Sequence, residues 1–145
     1  METSAVFLDA NVPIYAGGRE GALRDACGSV LRAVAEGRVE ACTDAETLQE
    51  ILHRYLALRR TREGFAVFDG FVRLMGGKVF PVEARDCRRA RELAERYPGA
   101  SARDLIHLAV CLSTGVHRVV SHDRDFDRFE GVERVDPVRL AASLA

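Results

Sequence analysis

Short apolar runs alternate along this chain with longer segments of helical periodicity. The apolar runs predict buried strands over 4–8, 39–42, 78–82, 118–121 and 132–135. Between them, apolar spacing and capping residues predict helices over 21–36, from Thr43 or Asp44 through Leu56, and over 64–75, 83–97 and 104–113, with a last helix opening at Pro137. Strands separated by helices in this rhythm form a parallel sheet. The sequence therefore predicts an α/β fold with helices on both faces of the sheet.

Composition and length restrict the class of protein. The 145 residues suit one compact domain, 1–145, and 48% of them are hydrophobic, which is enough for a core. No apolar run approaches the roughly 18 residues of a membrane span, and no basic segment precedes the first apolar stretch. We therefore expect a cytoplasmic protein without membrane association. The scattered cysteines, which lack C-x-x-C spacing, should stay reduced: Cys27, Cys42, Cys87 and Cys111.

Four acidic residues occupy positions that such a fold brings together. Asp9 closes the first apolar run and Asp123 follows the fourth, while Glu50 and Asp104 lie at the start or on the inner face of helical segments. Ligands gather at the carboxyl ends of parallel strands. Carboxylates that converge there without a basic partner in the same motifs repel one another, and a divalent cation usually resolves the repulsion. This pattern points to metal-assisted phosphodiester chemistry.

Two of these acids also have purely structural interpretations. Glu50 can pair with Arg54 one turn later, and Glu46, one turn earlier, is an alternative ligand, although we favour Glu50. Asp104 follows Ser101 by three residues, which is the spacing of a capping box. The amide dipoles at this helix start would also stabilise a carboxylate or a phosphate, so the ligand interpretation of Asp104 is kept.

The loop after the fourth strand carries three aspartates at alternating positions, two of which are Asp123 and Asp125. Phe126 is expected to anchor the loop in the core while these two face the acidic cluster. Asn11 lies two residues after Asp9 and can hold its carboxylate.

The four histidines form no zinc-hydrolase pattern, and neither a nucleophile elbow nor a P-loop is present.

In these segments the chain resembles the PIN-domain ribonucleases, and among them the VapC-type toxins of prokaryotic toxin–antitoxin pairs. The resemblance is carried by 7–11, 48–55, 102–109 and 121–126. It implies a three-layer α/β/α domain whose central parallel sheet has four to five strands. The family's acidic constellation then maps onto Asp9, Glu50, Asp104 and Asp123, with Asp125 as a further member.

The resemblance also implies a function. It predicts a Mg²⁺- or Mn²⁺-dependent endoribonuclease that is the toxin of a type II toxin–antitoxin system, with RNA as substrate, a small antitoxin protein as partner and a homodimeric state. Metal ligands would be Asp9, Asp104 and Asp123, with Asp125 as a further one, while Glu50 would bind the metal directly or through water, or orient the attacking water. Asn11, Ser121 and Arg54 would contact either the ligand carboxylates or the substrate. The alternative is a catalytically inactive PIN-like module that binds RNA or a protein partner.

Two surfaces are candidates for contacts with partners. The formal net charge is −1, so the chain does not attract polyanions by bulk charge, but a row of arginines can contact RNA phosphates: Arg54, Arg59, Arg60 and Arg62. An apolar face rich in phenylalanine is expected to form the dimer or antitoxin surface, with core packing as the alternative: Phe65, Phe68, Phe71, Val72 and Met75.

Overall fold

The computed structural model describes residues 3–145 and contains five strands and seven α-helices in that range. The strands are β1 (Thr3–Leu8), β2 (Ala41–Asp44), β3 (Val79–Phe80), β4 (Val116–Val120) and β5 (Glu133–Val135). The helices are α1 (Asn11–Ala16), α2 (Ala22–Ala35), α3 (Ala45–Ala57), α4 (Thr61–Met75), α5 (Ala84–Arg96), α6 (Ala102–Thr114) and α7 (Pro137–Leu144), and a 3₁₀ helix spans Arg124–Arg128. The expectation that the chain opens without a secretory signal falls partly on residues 1 and 2, outside the described range.

All five strands pair in parallel, in the order β3-β2-β1-β4-β5. This confirms the predicted α/β fold. The chain builds outward from β1 through β2 to β3 on one side, then crosses to β4 and β5 on the other. Such a reversal of strand order opens a crevice at the carboxyl ends of the two strands that flank it, here β1 and β4.

Alternate residues of β1 point into two separate cores. Ala5 and Phe7 belong to a cluster with side chains of α5, α6 and the 3₁₀ helix. Val6 and Leu8 belong to a second cluster with side chains of α1 to α4. Since successive side chains of a strand face opposite sides of the sheet, these clusters are the two helical layers on either side of it. The three-layer α/β/α arrangement is therefore confirmed.

Local interactions move some boundaries from their predicted positions. β2 begins two residues late, because the amides of Arg38 and Val39 bond to the Ala33 carbonyl and continue the turn that closes α2. β3 stops before Pro81, which has no amide hydrogen for a strand ladder. Asp44 is the N-cap of α3, accepting a hydrogen bond from the Thr47 amide at 3.0 Å.

The phenylalanine-rich face of α4 divides between core and surface. Phe71 and Met75 are buried and Phe68 is half-buried, whereas Phe65 is 51% exposed and Val72 36% exposed. Core packing therefore explains one half of the pattern. Use of the other half as a dimer or antitoxin surface stays a prediction.

Two other expectations can be compared with the structure. Cys27, Cys42 and Cys111 are buried and Cys87 is exposed, and all four are free thiols. No helix within residues 3–145 has both the length and the apolar character that crossing a membrane requires.

Helices α3 and α4 pack closely at Gly64. A Cβ built on Gly64 would lie 2.4 Å from Cβ and 2.9 Å from Cγ of Tyr55, a buried residue that reaches the second core. Gly70, on the same helix, has nothing within 4 Å of the corresponding position. Only glycine at position 64 permits this helix spacing.

We therefore predict that Gly64→Ala lowers the free energy of unfolding by roughly 1–3 kcal/mol through overpacking against Tyr55. The matched variant Gly70→Ala should be neutral or stabilising by up to about 1 kcal/mol, because alanine favours helix. Chemical denaturation of both variants checks this. Equal effects at the two positions would contradict the close approach.

Candidate active site

Asp9 stands directly after β1, at the crevice where the strand order reverses. Its amide still bonds to the Val120 carbonyl at 3.1 Å, so the backbone is held in register with β4. The carboxylate is 4% exposed. Its Oδ1 accepts a hydrogen bond from the Ala10 amide at 2.8 Å, and its Oδ2 accepts one from Asn11 Nδ2 at 3.0 Å. The orientation of Asp9 is therefore fixed by its neighbours in the chain.

Ser121 links the ends of β1 and β4. Its fully buried hydroxyl donates to Asp9 Oδ2 at 2.7 Å, and it accepts from Asn11 Nδ2 at 2.9 Å and from the Asp123 amide at 3.0 Å. The Asn11 side chain also accepts from the His122 amide, at 3.3 Å. A single hydroxyl thus ties together the two loops that carry Asp9 and Asp123.

A second acidic group lies beside this network. Carboxylate oxygens of Asp104, Asp123 and Asp125 lie within 4.8 Å of one another. Ser101 Oγ caps α6 by accepting a hydrogen bond from the Asp104 amide at 3.1 Å. This cap uses the backbone of Asp104, so its carboxylate can belong to the acidic cluster at the same time. Asp123 Oδ1 accepts from the Asp125 amide at 2.9 Å, and the fully buried Phe126 anchors the loop as expected.

A histidine lies within the acidic site, which corrects the expectation that these motifs contain no basic partner. His107 is fully buried on α6. Its Nε2 lies 2.6 Å from Glu50 Oε1, and its Nδ1 lies 2.8 Å from Oδ2 of the fully buried Asp44. Glu50 therefore bonds to His107 rather than to its helical neighbour Arg54. Sequence reasoning missed both Asp44, seen only as a cap, and His107.

Burial raises the pKa of two acids of this site, Asp9 and Asp104. Burial, followed by the neighbouring Asp9 charge, raises the pKa of Asp104 to about 7. Burial also raises the pKa of Asp9, although His107 and the Ser121 hydrogen bond oppose the shift. For His107, burial lowers the pKa, but the bonds to Asp44 and Glu50 outweigh it and hold the pKa well above its ordinary value.

The acids line one open cleft of about 580 Å³. Its walls include most of the predicted site residues: Asp9, Asn11, Glu50, Arg54, Asp104, Asp123 and Asp125. Ser121 lies buried beneath the floor, and Glu46, whose pKa burial and the Glu50 charge raise, is not among the lining residues. The cleft therefore presents five carboxylates, together with Arg54, Arg103 and His53.

The sequence matches the PIN domain family over residues 6–132, which is most of the chain. This protein belongs to the PIN domain family. It is 35% identical to ribonuclease VapC13 of Mycobacterium tuberculosis over 130 residues, 90% of this chain and 98% of that protein. It is 38% identical to ribonuclease VapC23 of the same organism over 120 residues, 81% of this chain and 92% of that protein.

Solved structures show the same fold at low sequence identity. The VapC20 toxin of Mycobacterium tuberculosis, described as cleaving the sarcin–ricin loop, superposes with a TM-score of 0.72 at 21% identity, covering 89% of this chain and 98% of that one. A chain of the Rickettsia felis VapBC2 complex, bound to promoter DNA, gives a TM-score of 0.70 at 15% identity, covering 91% and 99%. The predicted resemblance to VapC-type PIN domains is confirmed.

The donor set of the cleft suits a hard divalent cation. Asp104, Asp123 and Asp125 supply carboxylate oxygens close enough to share one ion, and such oxygens are the ligands that Mg²⁺ and Mn²⁺ prefer. Burial raises the pKa of Asp104 first, and the charges of Asp9, Asp123 and Glu50 raise it further, with His107 opposing them. A bound cation would compensate these carboxylate charges.

The pKa of Asp104 predicts how stability depends on pH without metal. Folded Asp104 keeps its proton up to about pH 7, whereas the unfolded group loses it near its ordinary value of 3.8. The folded state therefore binds more protons between these values, and this contribution to stability is lost as pH rises through the window. Each unit of pKa corresponds to about 1.4 kcal/mol, so the total is a few kcal/mol at most.

Asp104→Asn cannot ionise, so its stability advantage over the wild type should grow between about pH 4 and about pH 7. Urea denaturation in EDTA across this range measures the difference. Asp69→Asn is the matched control, because Asp69 is an exposed aspartate on α4 that does not line the cleft. Parallel pH curves for wild type and Asp104→Asn would contradict the assigned environment.

Proposed function

We propose that this PIN domain is a metal-dependent endoribonuclease of the VapC type and the toxin of a type II toxin–antitoxin pair. One observation carries the proposal: five carboxylates line a single cleft at the point where the strand order of a parallel sheet reverses. The 35% identity to a VapC ribonuclease over nearly the whole of both chains supports the choice of RNA as substrate.

The metal would be held by oxygen ligands from both sides of the cleft. Asp9, Asp104 and Asp123 are proposed as direct ligands of Mg²⁺ or Mn²⁺, Glu50 as a ligand directly or through water, and Asp125 as a further ligand at the exposed edge. When bound, the cation would supply Lewis acidity to the scissile phosphate and lower the pKa of an attacking water. Asn11 and Ser121 would keep the Asp9 carboxylate in one orientation through their hydrogen bonds.

Arginines at the rim are placed to bind the RNA backbone. Arg54 and Arg103 line the cleft, and Arg54 also borders an adjoining groove of about 630 Å³ that includes Arg19, Arg24 and Arg60. The two concavities share several walls, so a strand leaving the cleft would meet these guanidinium groups. Arg60 is ion-paired with Glu63, and neither Arg59 nor Arg62 lines the cleft or the groove. From the predicted arginine row we therefore propose Arg54 as an RNA contact. Arg60 would be a weaker RNA contact, because Glu63 already pairs with it.

The partner is proposed from the relatives and from the surface. Similar folds occur in complexes whose names specify VapBC pairs, from Rickettsia felis and from Salmonella typhimurium. Exposed apolar side chains on α3, α4 and the turn between them offer a surface for an antitoxin or for a second copy of this chain: Leu56, Leu58, Phe65 and Val72. A homodimer belongs to the proposal on the same grounds.

Cleavage of a mixed RNA pool with Mg²⁺ or Mn²⁺ tests the nuclease function. We expect endonucleolytic cutting by the wild type, none with EDTA, and a loss of at least about a hundredfold for Asp104→Asn, because a metal contact is worth several kcal/mol in the transition state. Asp69→Asn, the exposed match, should cut at the wild-type rate.

Folded wild type that leaves RNA intact with either metal would contradict this function. If that protein still bound RNA or an antitoxin, the inactive PIN-like module would become the better description. Cutting that persists unchanged in Asp104→Asn would place the chemistry outside this cleft.

Arg54→Gln should raise the KM for a short single-stranded RNA about fivefold with little change in kcat, since one phosphate contact is worth about 1 kcal/mol. The dependence of log KM on log salt should also become shallower by about 0.7. Arg73→Gln, an exposed arginine on α4 away from cleft and groove, is the control. Identical salt slopes for the two variants would argue against an RNA contact at Arg54.

A further inference from the structure

A buried chain of hydrogen bonds joins the start of α3 to the floor of the cleft. It runs from Asp44 through His107 to Glu50, with contacts of 2.8 Å at Nδ1 and 2.6 Å at Nε2. Asp44 and His107 are completely buried. The His107 ring also packs against the Phe7 ring, with centroids 5.1 Å apart, which fixes its plane. Glu50, on a long flexible side chain, thus meets a rigid partner.

We propose that Asp44 and His107 are positioning residues that hold the Glu50 carboxylate at the cleft floor, and that a cation there is bound by oxygen atoms alone. The proposal rests on the proposed nuclease function and adds two residues outside the family's acidic set. Both ring nitrogens lie within hydrogen-bond distance of a carboxylate oxygen, Nδ1 of Asp44 and Nε2 of Glu50, so neither is directed freely into the cleft. A nitrogen engaged with a carboxylate in this way is not open to a metal.

The rival arrangement uses the same residues differently. In many metal sites a histidine binds the ion through one ring nitrogen while its other nitrogen bonds to a carboxylate that orients the ring. In that arrangement Asp44 would orient His107 through Nδ1, and Nε2 would bind the ion. Nε2 does lie near Asp9 and Glu50 oxygens, within the spacing of a shared cation. The distances favour the first arrangement, because Nε2 is 2.6 Å from Glu50 Oε1 but 3.8 Å from Asp9 Oδ1, so Glu50 already occupies it.

Asp44 offers variants that separate positioning from helix capping. Its Oδ1 caps α3 through the Thr47 amide, while its Oδ2 contacts His107. Asp44→Asn keeps one oxygen for the cap, but its other polar atom is an amide nitrogen, which cannot accept a hydrogen bond from His107. Asp44→Ser keeps a good N-cap but its hydroxyl is too short to reach the ring as well. Both variants should therefore retain α3, and thermal melting checks that they do.

Mn²⁺ titration followed by electron paramagnetic resonance measures the effect on the site without RNA. We expect both Asp44→Asn and Asp44→Ser to weaken Mn²⁺ binding about tenfold, the usual effect of removing a group that orients a ligand, because each keeps the cap but leaves no acceptor at Nδ1. Equal affinities for folded wild type, Asn and Ser variants would overturn the positioning role. Electron spin echo modulation should show no directly coordinated imidazole nitrogen, and such a signal would establish the rival arrangement instead.

Metal-free protein provides a second test. Long-range ¹H–¹⁵N correlation should show Glu50→Gln moving mainly the His107 Nε2 signal and Asp44→Ser mainly the Nδ1 signal. Signals that stay unchanged in both variants would overturn the proposal. These readouts do not need RNA, so a wild type that fails to cut RNA but shows the bridge would refute the nuclease function alone.

Discussion

Negative charge buried where the strand order reverses is the constraint on which the site depends. β1 is the central strand, and its end at Asp9 opens into the crevice that the connectivity creates beside β4. A buried carboxylate needs hydrogen bonds or an opposite charge. Asp9 receives donors from Ala10, Asn11 and Ser121, so the protein satisfies it locally. Asp104 is raised to a pKa of about 7 first by its burial and then by the charges of the neighbouring acids, with Asp9 the largest of them.

His107 divides the acids into two classes. Asp44 and Glu50 both contact its buried ring, so one basic partner serves two carboxylates. Within the described cluster, Asp104, Asp123 and Asp125 have no such partner in contact with them. The negative charge is therefore compensated in part on the side of α3, and less on the side formed by the start of α6 and the loop after β4. An incoming cation has most to gain electrostatically on the second side, with Asp9 between the two.

The periodicity of the sequence predicted the fold well because the strands are short and most are separated by segments of clear helical spacing. Boundaries shifted where interactions outside the pattern decided them, as at Val39, whose amide completes the turn after α2, and at Pro81. The acidic residues were accessible to sequence reasoning because strand ends in a parallel sheet share one edge. Asp44 and His107 were not accessible in this way. The sequence indicates only that Asp44 is an N-cap, whereas its second oxygen contacts His107, 63 residues away. That contact follows only from the packing of α6 across the end of β2. The absence of a zinc motif made a zinc hydrolase a poor prediction, but it said nothing about a histidine that contacts carboxylates.

The small net charge of −1 hides a separation of charge that suits RNA better than a uniform basic surface. An acidic floor alone would repel a polyanion, and a basic floor alone would exclude the cations that phosphodiester chemistry needs. Here Arg54 and Arg103 stand at the rim of an acidic cleft, and further arginines continue along the adjoining groove. In the proposed nuclease, phosphates flanking the scissile bond would lie against these guanidinium groups, and the carboxylates of the floor would hold the cation. The attraction between the rim arginines and RNA is screened by salt. The carboxylates of the floor repel RNA until a cation binds, so RNA and metal should each favour binding of the other.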